Sequence, residues 1–297
     1  MRNILCVTLI ALLGGCTSTS VTEKYQDKRN DIINVKDKVI EFETGNVLIG
    51  SVSRLYMSNK CLLIADHKSV DKQIHIFNKN DFSYLTSIGN FGEGPEEITV
   101  MGCLAIDEAH HQLYVSDHAK QKIFSYDMDS VMVDSLYKPQ VKTAMNETLF
   151  PSEYQYINDT LSIAVLIKPT STSTFNQFLG RWNMNTGEMI PMKYTHPDIQ
   201  KKRITFAASE KAGIYVECYT RHDLMTICSL DGELLYNIYG PDWDGGNGNK
   251  LQSFGTVMIG NDKIFVSYCG EDYQEKHPAT HRQQDRQAAA TDAYRQR

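Results

Sequence analysis

The chain has 297 residues, 41% of them hydrophobic, with 16 tyrosines and a formal charge of −6. Arg2 supplies one positive charge and residues 281–297 two net, so residues 16–280 carry −9. A body this acidic argues against nucleic acid and against a basic patch for anionic lipid, and its length suffices for a sizeable buried core.

At the N-terminus, Arg2 precedes the ten apolar residues 4–13 (ILCVTLIALL). That run is too short to span a bilayer as a mature helix. It ends in Leu13-Gly14-Gly15-Cys16, where small residues before a cysteine resemble the lipobox of bacterial lipoproteins. The resemblance implies that residues 1–15 are a signal peptide cleaved before Cys16, whose thiol and new amino terminus are acylated. The alternative is an ordinary secretory signal with a chance cysteine. Several acyl chains hold a protein on a membrane without spanning it. Residues 16–35 are polar, with TSTS and KYQDKRND runs, and read as a flexible tether.

Residues 36–280 read as an all-β body. Short apolar segments recur: LLIAD (62–66), LYVSD (113–117), LSIAV (161–165), IYVEC (214–218) and IFVSY (264–268). Their starts are 51, 48, 53 and 50 residues apart. A near-constant period of this size without helical patterning is a propeller signature. Each unit is a small twisted sheet that cannot bury both faces alone, so units stack radially. An inner strand is expected before each, over residues 52–57, 102–107, 154–157, 204–208 and 254–259. In the first two units a further alternating strand follows (IHIF, 74–77; IFSY, 123–126). Another comes after it (SYLTSIG, 83–89; VMVDSLY, 131–137), giving four strands per blade. Asp231-Gly232 is a hairpin signal in the fourth unit, and Asn185-Thr186-Gly187 plays that part in the third.

The chemistry-bearing candidates are few. IGNFGEGPEEI (88–98) contains Gly89, Gly92, Gly94, Pro95, Glu96 and Glu97. A dinucleotide or P-loop cradle needs a different glycine order, a following helix and no cluster of carboxylates. Glu93, Glu96 and Glu97 would repel phosphate, so the stretch reads as a structural turn between blades. Asp66-His67 and Asp117-His118 occupy equivalent points of two units. As pairs they suggest metal ligands, but Asp at a strand end commonly caps the next turn, and no metal site is assigned. Cys61, Cys103, Cys218, Cys228 and Cys269 form no C-x-x-C pattern. Cys218 and Cys228 read as buried thiols rather than a disulfide. No nucleophile elbow, H-E-x-x-H or EF-hand loop occurs. Propeller enzymes draw ligands from separate inner strands and leave no local motif.

Placed just after the last strand of a blade, IGNFGEGPEEI closely resembles the G-x-x-G-x-G-P-x-E signature of bacterial six-bladed β-propeller lipoproteins. These are the TolB-like or NHL-like proteins common in Bacteroidetes, and the resemblance covers residues 36–280. It implies a six-bladed type of propeller with about five blades present. A sixth anchor would fall near residue ~314 on the same period, so the last blade reads as truncated. Residues 39–42 (VIEF) would be expected to complete that blade. Residues 281–297, with four Arg, four Gln and four Ala, read as a disordered tail or as the product of a shifted reading frame.

The resulting expectation is a lipid-anchored cell-envelope propeller acting as a binding or scaffold protein and not as an enzyme. It would sit on the outer membrane facing the periplasm, touching lipid only through Cys16. No cofactor is expected, and the partner is an envelope protein or a small ligand. Its binding face would include the loop of Gly89, Gly92, Gly94, Pro95, Glu96 and Glu97. The alternatives are a metal-dependent, lactonase-like hydrolase or lyase, for which His67 and His118 are the ligand candidates, and a non-functional fragment.

Overall fold

The computed structural model describes residues 21–29, 37, 41–134, 136–200, 202–246 and 251–272. The signal peptide, Cys16, Val39, Ile40 and the 281–297 tail lie outside the described residues.

A short first strand, β1 (Glu23–Tyr25), precedes five consecutive sheets. The first blade holds β2 (Ser53–Met57), β3 (Cys61–Asp66), β4 (Lys72–Asn78) and β5 (Tyr84–Asn90). The second holds β6 (Met101–Asp107), β7 (Gln112–Asp117), β8 (Lys122–Asp127) and β9 (Gln140–Ala144), with α1 (Met128–Val133) inserted before β9. The third holds β10 (Phe150–Asn158), β11 (Leu161–Pro169), β12 (Phe175–Trp182) and β13 (Met189–Pro191). The fourth holds β14 (Ile204–Ser209), β15 (Ile214–Tyr219), β16 (Leu224–Ser229) and β17 (Leu234–Tyr239). The fifth, among the described residues, is the hairpin of β18 (Leu251–Gly260) and β19 (Lys263–Asp272). Within each blade the strands pair antiparallel in chain order. This is a β-propeller. Every recurring apolar segment falls within an observed strand, and so does every expected inner strand except for Val52, which precedes β2.

The recurring segments read as unbroken apolar runs because both faces of a blade are covered. All six residues of β3 are buried. Their two-residue alternation assigns them to different neighbours. Cys61, Leu63 and Ala65 pack with Met101, Leu104, Leu113 and Val115 of the second blade. Leu62 and Ile64 face the other way and are covered by Val47, Ile49 and Phe82. In β7 the same alternation sends Leu113 and Val115 back to the first blade, and Tyr114 forward to Tyr154, Leu166 and Trp182 of the third. The third and fourth blades meet through Ile163, Val165, Phe206 and Tyr215. The fourth and fifth meet through Val216, Cys218, Phe254 and Val257. The core is therefore a series of interfaces between blades. Each fully buried aliphatic or aromatic side chain contributes roughly 1.5–3 kcal/mol.

Three expectations change. VMVDSLY is not a strand: residues 128–133 are helical. The Asp127 carboxylate accepts the Ser130 N–H at 2.7 Å and caps the helix. Met128 and Val131, three residues apart, reach the same cluster, while Val133 points to solvent. The outer strand of the blade is instead residues 140–144. Residues 21–29, expected within a free tether, are docked: β1 lies parallel to β17 and extends the fourth blade to five strands. Phe42, expected on the last blade, stacks on Phe82 of the first, with ring centroids 4.6 Å apart. Cys61, Cys103, Cys218 and Cys228 are buried thiols. Cys218 and Cys228 do not face each other; Cys218 pairs with Met225 and Cys228 with Tyr215.

Candidate functional site

The connector between the first and second blades starts as β5 ends. Gly89 takes a left-handed backbone (φ 74°), and a Cβ there would press on Ile98 at 3.1 Å. The Ile98 N–H donates to the Asn90 carbonyl at 2.8 Å and the Gly92 N–H to the Ile98 carbonyl at 3.1 Å, closing the loop on itself. Glu97 folds inward: its carboxylate accepts the Gly94 N–H at 2.8 Å and fills the space a Cβ on Gly92 would need. Pro95 sits at the exposed crest. Glu96 pairs with Lys138 at 2.8 Å.

The loop does hold a charged group, but a cation. The Lys120 ammonium donates to the carbonyl oxygens of Gly94 (2.6 Å), Glu97 (2.5 Å) and Gly92 (3.4 Å). A phosphate cradle presents N–H groups; here carbonyl oxygens converge, and the chain's own lysine occupies them. Thr99 Oγ1 donates to the Gly92 carbonyl at 2.8 Å, and the Thr99 N–H donates to Asp117 at 2.8 Å. The connector is thus pinned along its length to the β7–β8 turn. Its solvent side presents Phe91, Glu93, Pro95 and Val100.

Asp66 and Asp117 serve as caps. Asp66 accepts the N–H groups of Gly50 and Lys68 at 2.7 and 2.9 Å. Asp117 accepts those of Thr99, Val100, Ala119 and Lys120. Each ties a hairpin turn to the chain entering its own blade. The adjoining histidines turn onto the next blade's inner strand. His67 Nδ1 donates to the Met101 carbonyl at 3.2 Å, and the His118 ring lies edge-on to Phe150, centroids 6.0 Å apart. The Nε2 atom of each is buried without a hydrogen-bond partner. Burial lowers the pKa of both imidazoles. The structure therefore places His67 and His118 at equivalent corners of neighbouring blades.

Sequence reasoning passed over two other groupings. At the opposite ends of the inner strands, Asp107 closes β6, His110 sits in the turn that follows, and Asp159 sits in the turn after β10. Their ligand-capable atoms all lie within 4.8 Å of one another. His110 Nδ1 donates to the buried Asp107 carboxylate at 2.8 Å, and that bond raises the His110 pKa. Tyr156 donates to Asp159 at 2.7 Å and Tyr114 to Asp107 at 3.3 Å. Aligning the equivalent turns of two repeats would have found this grouping. Elsewhere, a cleft of about 580 Å³ on the first blade contains a hydrogen-bonded chain. There Ser87 Oγ lies 2.8 Å from His75 Nδ1 and 2.9 Å from the Tyr84 hydroxyl. The other ring nitrogen of His75 is buried and unpartnered. The residues come from two different strands, β4 and β5, so no local motif announces them.

Comparison with known proteins bears on the fold. The model of the DUF5128 family, described as a 6-bladed beta-propeller, matches residues 17–178. No curated protein matches the sequence. Among solved structures, a putative exported protein from Bacteroides fragilis is 14% identical with a TM-score of 0.49; the match covers 84% of this chain and 74% of that one. A member of the DUF4221 family from Bacteroides vulgatus is 11% identical with a TM-score of 0.46, over 61% of this chain and 56% of that one. This chain therefore spans just over half the length of that protein. The nidogen/laminin complex contains a chain 10% identical, with a TM-score of 0.46 and coverage of 71% and 68%. The family match covers more than half of the chain and ends within the third blade's β12, so this protein belongs to the DUF5128 family of six-bladed β-propellers.

Proposed function

We propose that this chain is a lipid-anchored propeller of the bacterial cell envelope, TolB-like or NHL-like in type, that binds a partner protein or small ligand through its blade connectors. It is held on the outer membrane, facing the periplasm, by acylated Cys16. The observation that carries the binding role is the connector of residues 90–100. It is locked by Lys120, Glu97 and Asp117, and it holds Phe91 46% exposed beside Glu93 and Pro95. A loop ordered in advance loses little entropy on binding, and an exposed aromatic on a rigid scaffold suits an anchor residue. The test is affinity capture from envelope extracts with the wild-type protein and with Phe91→Ala. A component retained by the first and reduced at least fivefold by the second supports the reading. Equal retention, or nothing above background, counts against it.

One observation favours a second reading, a metal-dependent hydrolase or lyase. Asp107, His110 and Asp159 offer oxygen and nitrogen donors at one end of two adjacent inner strands, a mixed set suited to a divalent ion. Elemental analysis of the native protein and of Asp107→Asn separates the readings. A stoichiometric divalent ion lost in the variant favours the enzyme; an ion-free native protein removes it.

A further inference from the structure

The segment between the acylation site and the propeller is anchored to one place on the body. β1 pairs with β17 residue for residue, Glu23 with Asn237 and Tyr25 with Tyr239. The Asn237 N–H donates to the Thr22 carbonyl at 2.8 Å and the Gln26 N–H to the Tyr239 carbonyl at 2.9 Å. The Asn237 side chain donates to Glu23 at 3.1 Å, and the Tyr25 ring stacks on Tyr239 at 4.7 Å. Four residues later, both terminal nitrogens of Arg29 donate to the fully buried Asp223, and the guanidinium lies 4.0 Å from the centre of the Tyr268 ring. Arg29 thereby ties the fourth blade to the fifth.

This docking shortens the leash. A free tether over residues 16–35 would let the body wander about 70 Å from the lipid, at up to about 3.3–3.6 Å per residue. With Glu23 fixed, only six residues separate it from Cys16. Whatever their path, they hold Glu23 within about 25 Å of the acylated cysteine. A domain of roughly 250 residues is about 45 Å across, so most other parts of the rim lie too far from the anchor to replace this edge at the membrane.

The surface around the fixed point suits that neighbour. Val21 (80% exposed), Tyr25 (69%), Tyr236 (42%) and Leu235 (36%) lie on or beside the paired strands. Lys24 reaches over the Tyr236 ring at 5.8 Å. Tyrosine with aliphatic neighbours is the composition that settles at headgroup level, and it requires no anionic lipid. We infer that the outer edge of the fourth blade, β17 with β1 laid against it, is the membrane-facing surface of this protein. The propeller stands on its rim against a lipid surface, and both rings of turns, including the 90–100 connector, are left free. This inference rests on acylation of Cys16, as proposed above.

The test uses the full lipidated chain in vesicles of phosphatidylethanolamine and phosphatidylcholine carrying nitroxide-headgroup lipid. A fluorophore is attached at Leu235→Cys or, on the second blade's exposed helix, at Val133→Cys, each in a Cys269→Ser background. Tyr236→Cys replaces the first if it does not fold. Quenching at residue 235 is expected to exceed that at 133 at least threefold. Inserting twenty Gly/Ser residues after Ser20 should bring the ratio close to one without touching the fold. Equal quenching at the two positions overturns the orientation; a ratio unmoved by the insertion overturns the short leash as its cause and leaves the exposed edge itself holding the membrane. Mass spectrometry separates the two levels: a chain without acyl mass at Cys16 overturns both the anchor and the orientation, whereas an acylated chain with equal quenching overturns the orientation alone.

Discussion

A glycine-rich loop can turn its N–H groups or its carbonyls inward, and that choice decides which charge it holds. In the 90–100 connector the carbonyls of Gly92, Gly94 and Glu97 converge on Lys120, which is 17% exposed. Removing the ammonium leaves these acceptors facing an apolar side chain, at a cost of roughly 1–3 kcal/mol. Lys120→Met is therefore expected to lower the melting temperature by several degrees, since about 1 kcal/mol corresponds to 2–4 °C in a chain of this size. Lys68→Met, at an exposed position in the equivalent turn of the first blade, should stay within about 0.5 kcal/mol. Thermal melts of the two variants check this, and equal stability would remove Lys120 from its role. The glycine order, Pro95 and the glutamates were enough to read a turn rather than a phosphate cradle. They could not reveal Lys120, because it comes from a different turn 23 residues beyond Glu97, and only the antiparallel pairing of β6 with β7 inside the second blade brings the two together.

At the scale of elements, strands were legible where burial forces long apolar runs, as in β3, β7 and β15, because both blade faces are covered. The outer positions of a blade carry weaker patterns. VMVDSLY is rich in β-formers, two valines and a tyrosine, yet the Asp127 cap and the spacing of Met128 and Val131 draw its first three residues into the six-residue α1. A helix this short has little cooperativity of its own, so its cap matters. Asp127→Ala should cost about 1 kcal/mol. Local opening of α1 should show as faster amide exchange at Ser130 and Val131 while the β6–β7 amides stay protected. Exchange unchanged at those two amides would mean that packing of Val131 alone holds the helix. The docking of β1 was illegible for another reason. EKY has no apolar periodicity, and its partner β17 lies more than 200 residues away, so only the fold brings them together.

Over the whole molecule, the 50-residue period made the propeller readable, because repetition of a unit survives errors in any one strand. The period says nothing of what the buried interfaces do with charge. His75, His196 and His222 are buried, and His67 and His118 half-buried. Burial lowers the pKa of all five, outweighing the opposing pull of nearby Asp66, Asp117, Asp198 and Asp244. In the unfolded chain these imidazoles take up protons near pH ~6.5; in the folded chain they resist until lower pH. Between those limits the unfolded state binds more protons, so stability falls as the pH drops. His110 has the opposite sign. Its pKa is raised by Asp107, so its contribution is present below the unfolded value and lost as the pH rises through the folded one. It is one exposed group against five. The melting temperature is therefore expected to fall between pH 7 and pH 5.5, above the range where most carboxylates titrate. His75→Phe should flatten part of that slope by removing one suppressed protonation, provided the ring still fills the interior of the first blade. A melting temperature constant from pH 7 to 5.5 would show that the five imidazoles titrate alike in the folded and unfolded chains, and that the blade interfaces do not exclude the charged form.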